Sequence, residues 1–224
     1  MTARVAVLAS GGGTNLQAIL DYFDAPEGRR AAAVALVASD RASAGALDRA
    51  RGRGVEAVAL DATQRGAGML DVLAARDIDF IALAGYLKFI PADVTRRWRG
   101  RIVNVHPSLL PAFGGTGMYG IRVHQAVIAA GVRVTGATVH FVDEQYDHGP
   151  IIAQWPVPVL PTDTPEVLAA RVLAVEHRLY PATLEAVVRG RMTLGDDGRV
   201  SAISHQPSAT SYQLGSEPPA TSIR

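Results

Sequence analysis

Short apolar runs alternate with helix-length segments through the first half of the chain. Uninterrupted runs of Val, Ile, Leu and Ala are typical of strands that are covered on both faces. Such runs occupy residues 5–9, 31–38, 55–60, 78–83 and 101–105. Helical periodicity fills the intervals between them at residues 14–23, 43–51, 69–75 and 91–98. This alternation of strands and helices predicts an α/β fold whose first strands are parallel.

The second half of the chain has a different pattern. Alternation of β-branched residues predicts strands at residues 132–142 and 151–159. Thr164 is a suitable N-cap and Pro165 a suitable first residue for a last, long helix, which we expect to be kinked at Pro181. We therefore predict a Rossmann-like α/β fold, with a mostly parallel central sheet flanked by helices and antiparallel strands late in the chain.

The end of the chain differs in composition from the rest. Residues 201–224 are rich in Ser, Thr, Pro and Gln and contain almost no apolar run. Such a segment buries too little apolar surface to fold, so we expect a disordered C-terminal tail there. We expect residues 1–200 to form a single domain, because a chain of 224 residues with 48% hydrophobic side chains can build one sizeable core.

The composition excludes several classes of protein. The 22 Lys and Arg residues nearly balance the 21 Asp and Glu residues, which leaves no broad basic face for nucleic acid or a membrane surface. The absence of Cys excludes disulfide scaffolds, thiolate zinc sites and cysteine nucleophiles. No spacing of His, Asp and Glu suggests a metal site, and no apolar window has the length of a membrane span or a secretory signal. We expect a cytoplasmic protein that binds no metal, nucleic acid or membrane.

A glycine-rich turn follows the first predicted strand, with the sequence Ser10-Gly11-Gly12-Gly13-Thr14-Asn15. Glycines allow a ligand to approach the backbone closely, and the N-terminus of the following helix offers free N–H groups, so a phosphate is the expected ligand. The turn lacks the third glycine of a dinucleotide-binding motif and the lysine of a P-loop. Two alternatives stay open: a turn without any ligand, and a ribose held by Asp40 as in nicotinamide-binding folds.

Two polar side chains lie at the end of the fifth predicted strand. Asn104 and His106 are two residues apart, so on an extended segment they share a face. An amide beside an imidazole at this edge can bind a carbonyl oxygen that becomes an oxyanion. An acidic turn at residues 143–150 supplies a carboxylate that could pair with His106 and keep it protonated. The alternative is a polar pair that only stabilises the strand end.

These motifs together resemble the folate-dependent formyltransferase family. The run His106-Pro107-Ser108-Leu109-Leu110-Pro111 is specific for that superfamily. The glycine-rich turn narrows the resemblance to the branch that acts on glycinamide ribonucleotide. The stretch Val139-His140-Phe141-Val142, followed by Asp147, completes it. The match extends in order from residue 5 to residue 191 and so covers most of the chain.

The resemblance implies roles for individual residues. It assigns catalysis to Asn104, His106 and Asp147. It assigns substrate binding to Gly12, Gly13, Thr14 and Asn15 at the phosphate and to Glu176 at the ribose. It assigns the folate site to Arg65, Leu87, Lys88, Phe89 and Ile90, together with Asn104 and Asp147.

The resemblance also implies a reaction. The formyl group of 10-formyltetrahydrofolate, the co-substrate, passes to the amino group of N1-(5-phospho-D-ribosyl)glycinamide in de novo purine synthesis. Asn104 and protonated His106 stabilise the tetrahedral oxyanion, and Asp147 keeps His106 charged. We expect small molecules to be the only partners and the protein to be a monomer or a homodimer.

Four other functions are alternatives to this reaction. A formyltetrahydrofolate hydrolase would carry an extra N-terminal domain, and a methionyl-tRNA formyltransferase would carry a further C-terminal domain, so we expect neither. A binding domain without turnover would retain the phosphate site but would not need the catalytic residues. A nicotinamide-dependent dehydrogenase would need the third glycine that the turn lacks.

Overall fold

A seven-stranded sheet runs through the centre of the molecule. The computed structural model describes residues 2–26, 31–60 and 67–202. Within them the strands of the sheet are β1 (Ala3–Leu8), β2 (Ala32–Ser39), β3 (Glu56–Ala59), β4 (Phe80–Leu83), β5 (Ile102–His106), β6 (Val134–Phe141) and β7 (Ile151–Pro158). Across the sheet they follow the order β3-β2-β1-β4-β5-β6-β7.

One strand of the sheet, β6, runs opposite to the other six. The strands from β3 to β5 are parallel to one another. β6 pairs antiparallel with β5, and β7 pairs antiparallel with β6. The predicted α/β fold with a mostly parallel sheet and late antiparallel strands is therefore confirmed.

Helices cover both faces of the sheet. Those in the described residues are α1 (Thr14–Asp24), α2 (Gly45–Gly52), α3 (Ala67–Ala74), α4 (Ala92–Arg97), α5 (Ile121–Ala129) and α6 (Pro165–Val188). Thr164 caps α6 as predicted, because its Oγ1 accepts a hydrogen bond from the N–H of Val167 at 3.3 Å. α6 runs past Pro181 without interruption.

The core has a layer on each side of the sheet, which explains why most positions of the central strands are apolar. Val5 and Val7 of β1 belong to the layer that also contains Leu16 of α1 and Tyr180 of α6. Their neighbours Ala6 and Leu8 belong to the opposite layer, with residues from α3 and α4. Because successive side chains of a strand point to opposite faces, a strand covered on both sides consists mainly of apolar residues.

The sheet order creates a crevice where the candidate site lies. β1 stands between β2 and β4, so the chain leaves it in one direction and later returns on the other side. In open α/β sheets such a switch point leaves a crevice at the carboxyl ends of the strands, where ligands bind. The glycine-rich turn follows β1, residues 85–87 follow β4, and His106 ends β5.

A second, two-stranded sheet is absent from the sequence-based prediction. It pairs β8 (Met192–Leu194) with β9 (Val200–Ala202). The predicted tail began at residue 201, but Ser201 and Ala202 lie in β9, so that boundary is two residues too early. Residues 203–224 lie outside the described part of the chain, and the division into one domain and a tail stays a prediction. No helix among the described residues combines the length and the apolar character that crossing a membrane requires.

Candidate active site

The glycine-rich turn has a conformation that only glycine adopts without strain. Gly13 precedes α1 with a φ of 75°, and a Cβ there would lie 2.9 Å from Cα of Ala46. No side chain caps the N-terminus of α1, and Gly11 and Gly12 are exposed. The turn therefore presents free backbone N–H groups at a helix N-terminus, the arrangement that binds an anion.

Ser10 connects this turn to two neighbouring segments. Its hydroxyl donates to Oδ1 of Asp40 at 2.5 Å and accepts from the backbone N–H of Leu87 at 2.9 Å. The carboxylate of Asp40 therefore holds the turn in place, and Asp40 has a structural role. The same hydroxyl fixes the start of the segment that was predicted to line a folate pocket.

Asn104 is held by a histidine on the adjacent strand. His140 lies opposite Asn104 in the β5–β6 register. Nδ1 of His140 lies 2.8 Å from the carbonyl oxygen of Phe141, which can only accept, so Nδ1 carries the hydrogen. Nε2 of His140 then accepts from Nδ2 of Asn104 at 3.0 Å. One N–H of the Asn104 amide is thereby fixed, and the other is left to donate elsewhere.

Burial keeps His140 neutral in this arrangement. Burial is the largest effect on the pKa of His140 and lowers it, and the charge of His106 lowers it further. The hydrogen bond to Phe141 and the charge of Asp147 raise the same pKa by less. A neutral imidazole is required here, because a protonated Nε2 would face the N–H of Asn104 donor to donor.

His106 and Asp147 lie together, as the sequence predicted they could. Nδ1 of His106 lies 3.4 Å from Oδ2 of Asp147, and Nε2 donates to the carbonyl oxygen of Phe113 at 2.8 Å. Both ring nitrogens of this buried histidine therefore face oxygen atoms that only accept. A hydrogen on either nitrogen would be satisfied by the oxygen that it faces, and the carboxyl group of Asp147 lies beside the imidazole.

The loop after β5 closes over this pair. Besides the carbonyl of Phe113 on His106, the N–H of Gly115 donates to Oδ2 of Asp147 at 2.9 Å. Phe113 has a φ of 56°, which is unusual for a residue with a side chain. A Cβ on Gly114 would lie 2.4 Å from Cδ2 of Leu110 and 3.2 Å from Cβ of Asp147. Glycine at position 114 is therefore what lets the loop approach the carboxylate.

Two cavities meet at these side chains. The larger has a volume of about 870 Å³, and its wall includes Asn15, Leu87, His106 and Glu176. The smaller has a volume of about 70 Å³, and its wall includes Lys88, Phe89 and Ile90. Asn104 and Asp147 belong to the walls of both cavities. Of the three residues predicted to be catalytic, Asn104 and Asp147 therefore line both cavities, and His106 lines the larger one.

An aromatic pair stands beside the smaller cavity. The rings of Phe89 and Tyr146 meet edge to face, with their centroids 5.3 Å apart, and both residues line that cavity. Phe89 comes from the segment after β4 and Tyr146 from the turn that carries Asp147, so the pair connects the two walls.

Glu176 and Asn15 both line the larger cavity and contact each other. Nδ2 of Asn15, on the first turn of α1, donates to Oε2 of Glu176 on α6 at 2.6 Å. Both side chains are buried. Burial raises the pKa of Glu176, and the hydrogen bond from Asn15 opposes that rise.

The structure thus brings together most of the residues predicted for the site, and it adds others. Arg65 lies outside the described residues. The sequence analysis named His140 only within the family motif and gave it no role at the site, and it missed the carbonyl of Phe113 and the N–H of Gly115. His140 had a detectable signal, since it lies on an alternating strand that could pair beside Asn104, but the two backbone groups have none. Within residues 2–26, 31–60 and 67–202, no group of three or more His, Asp or Glu side chains could hold a metal ion.

Known proteins share both the sequence and the fold of this chain. Residues 3–184 match the family model described as formyl transferase. The chain is 38% identical over 200 residues to a phosphoribosylglycinamide formyltransferase from Haemophilus influenzae, and the match covers 87% of this chain and 91% of that protein. The chain belongs to the phosphoribosylglycinamide formyltransferases of the formyl transferase family. The family expected from the sequence motifs is therefore confirmed.

Other relatives in the family support the same assignment. The glycinamide ribonucleotide transformylase 1 of Symbiobacterium toebii superposes with a TM-score of 0.82 at 42% identity, covering 91% of this chain and 95% of that one. A chloroplastic phosphoribosylglycinamide formyltransferase of Vigna unguiculata is 43% identical over 201 residues. That match covers 87% of this chain, which spans 64% of the length of the Vigna protein.

Proposed function

We propose that the protein transfers the formyl group of 10-formyltetrahydrofolate to the amino group of N1-(5-phospho-D-ribosyl)glycinamide, a reaction of purine biosynthesis. The observation that carries the proposal is the position of Asn104 and Asp147 in the walls of both cavities, with His106 beside them. A transfer between two ligands requires the catalytic groups at their point of contact.

The two substrates occupy different parts of the crevice. The phosphate of the acceptor binds the N–H groups of the turn formed by Gly12, Gly13 and Thr14, at the N-terminus of α1. Its ribose lies against Glu176, and its amine extends toward Asn104. The ring system of the donor binds beside Leu87, Lys88, Phe89 and Ile90, which places its formyl group next to the same amide.

The chemistry follows from the groups at this junction. The lone pair of the amine attacks the formyl carbon, and the carbonyl electrons move to the oxygen. The free N–H of Asn104 and the Nε2–H of His106 donate to that oxyanion. The oxyanion thereby takes the place of the Phe113 carbonyl as the acceptor for His106. Asp147 stabilises the imidazolium and accepts a proton from the attacking amine through water. Breaking the bond to the folate nitrogen, which takes up a proton, completes the transfer.

Donors held in advance are what make this arrangement catalytic. The amide of Asn104 is oriented by His140 at 3.0 Å, and the imidazole of His106 is oriented by Asp147 at 3.4 Å. Both donors are therefore oriented before the reaction begins, and His106 only exchanges its acceptor, the carbonyl of Phe113, for the oxyanion. No covalent intermediate is needed, and Ser108 does not serve as a nucleophile, because its hydroxyl donates to the carbonyl of Ala112 at 2.6 Å.

The test is an absorbance assay with purified protein, the formyl-folate and the phosphoribosyl amine. Formation of deformylated folate only when the amine is present is the expected result. Folate deformylation without the amine would instead identify a hydrolase. Saturable binding of the amine without any deformylation would identify a binding protein, and either result would overturn the proposal. The cytoplasmic location and the monomeric or homodimeric state stay predictions, and sedimentation measures the latter.

A further inference from the structure

The buried face of α6 carries one acidic side chain. Leu168, Val172, Tyr180 and Leu184 follow one another at steps of one or two helical turns along that face. Glu176 takes the position between Val172 and Tyr180, where the spacing calls for another apolar residue. A carboxylate at such a position is costly unless it is hydrogen-bonded, so its partner determines what it can do.

That partner is Asn15. The amide nitrogen donates to Oε2 of Glu176 at 2.6 Å, across 161 positions of sequence. The other carboxylate oxygen, Oε1, has no hydrogen bond within the part of the chain that the structure describes, and Glu176 lines the larger cavity. The contact therefore occupies one oxygen and leaves the second available to a ligand.

The position of Asn15 gives this contact a second consequence. Asn15 directly follows Thr14 at the start of α1, beside the turn that presents its N–H groups to an anion. Its amide nitrogen is already engaged by Glu176, so the phosphate site relies on backbone N–H groups and on Thr14. Asn15 instead connects the phosphate end of the crevice to the carboxylate further along it.

We infer that Asn15 is a positioning residue, which holds the carboxyl group of Glu176 turned so that Oε1 accepts a hydrogen bond from a ribose hydroxyl of the acceptor substrate. The inference rests on the proposed function for the identity of that substrate. It differs from the role that family resemblance gives Asn15, because the side chain acts on Glu176 and not on the phosphate.

The electrostatic surroundings agree with this role. Burial raises the pKa of Glu176, and the hydrogen bond from Asn15 is the effect that lowers it. Besides three tyrosines, the titratable and charged side chains that line the same cavity are His106, Arg122, His124, Asp147 and Glu166. None of these shifts the pKa of Glu176 among the described residues. Removing the Asn15 amide therefore leaves burial unopposed and moves the protonation of Glu176 to higher pH.

The experiment measures KM for the acceptor and kcat between pH 5 and 8 for Asn15→Ala and Asn15→Asp. We expect KM to rise about 10-fold at neutral pH, as for the loss of a hydrogen bond to a charged group, with a smaller change in kcat. The acid limb of the KM profile should move to higher pH in Asn15→Ala. It should move further in Asn15→Asp, which sets two carboxylates against each other. Gln125→Ala is the matched control, because it removes an exposed amide from the helix α5.

Two results overturn the inference. In the first, the KM of Asn15→Ala depends on pH with the same midpoint as the wild type, so the lost contact is only structural. In the second, the KM of Asn15→Ala is unchanged, so the Asn15 amide does not contribute to substrate binding. If Asn15→Ala does not fold, the test uses the dependence of KM on pH in Glu176→Gln. The acid limb of that profile must disappear if protonation of Glu176 is its source. Absence of formyl transfer by the wild type would instead remove the proposed function, so the two failures are distinguishable.

Discussion

The carbonyl oxygen of Phe113 accepts a hydrogen bond from Nε2 of His106 at 2.8 Å, at the place where an oxyanion would receive the same hydrogen. The imidazole of His106 thus has a hydrogen-bond partner within the protein. The N–H of Gly115 likewise donates to Asp147 at 2.9 Å. The loop after β5 therefore sets the geometry of the pair, and under the proposed mechanism the carbonyl of Phe113 gives up the His106 donor to the oxyanion.

The first prediction concerns that loop. Gly114→Ala places a Cβ against Cδ2 of Leu110 and 3.2 Å from Cβ of Asp147, so the leucine side chain must move and the loop must shift slightly away from Asp147. We expect kcat to fall by about 10²-fold, as for small misplacements of catalytic groups, while circular dichroism shows a folded protein. Gly52→Ala is the control, because no atom lies within 4 Å of its added Cβ. Wild-type kcat in Gly114→Ala would show that the loop does not position the pair.

The second prediction concerns the two oxyanion donors. Asn104→Ala and His106→Ala each remove one donor from the junction of the two cavities. Loss of one such donor costs about 10²–10³ in rate, and we expect each variant to be folded and slowed to this extent. Single-turnover measurements at saturating substrates report the chemical step directly. Substantial activity in purified His106→Ala would exclude the proposed mechanism.

The third prediction assigns His140 a role through Asn104. His140→Phe keeps an aromatic ring but removes the acceptor for the Asn104 amide, which is then free to rotate. We expect kcat to fall by about 10-fold, on the order of one lost hydrogen bond, with little change in either KM. His148→Phe is the control, since that exposed histidine contacts only Asp143 in the described part of the chain. Equal kcat values for the two variants would contradict the role.

The sequence predicted the parts of this molecule that follow from local patterns. The parallel strands, the glycine-rich turn and the cap at Thr164 depend on residues close together in the chain, and all are where they were expected. The meeting of His106 with Asp147 was only a possibility from sequence, because 41 positions separate them and the register of β6 decides their distance.

What the sequence could not predict depends on backbone groups and on distant pairing. The carbonyl of Phe113 is a backbone atom, and every residue has one, so no residue type marks its contact with His106. The Asn15–Glu176 contact joins the first and last described helices of the chain, and the glutamate is a polar residue on an otherwise apolar face. The β8–β9 hairpin is short and half-exposed, and its strands have little periodicity.

The fourth prediction follows from histidines that fold in the neutral form. Burial lowers the pKa of His124 and of His140, and the charge of His106 lowers both further. The unfolded chain therefore binds more protons than the folded protein just below pH 6.5, so stability is complete above that pH and is lost as the pH falls. Each histidine contributes at most about 1.4 kcal/mol per pH unit.

Urea unfolding at pH 7.5 and pH 5.5 measures this loss. We expect His124→Asn to show a smaller difference between the two pH values than the wild type, because it removes one of the titrating groups. Glu176 acts in the opposite direction, since its raised pKa favours the folded state as the pH falls. A His124→Asn protein that loses as much stability as the wild type would contradict the prediction.

The fifth prediction concerns Tyr180, whose buried hydroxyl connects α6 to the centre of the sheet. It lies 3.0 Å from the carbonyl oxygen of Leu83, the last residue of β4, and 2.9 Å from that of Val103, near the start of β5. Tyr180→Phe keeps the ring in the core but removes the donor. We expect the free energy of unfolding to fall by about 1 kcal/mol, the usual contribution of a hydrogen bond. Tyr119→Phe is the control, because that hydroxyl belongs to an exposed side chain. Equal stability of Tyr180→Phe and the wild type would show that the hydroxyl does not hold the helix on the sheet.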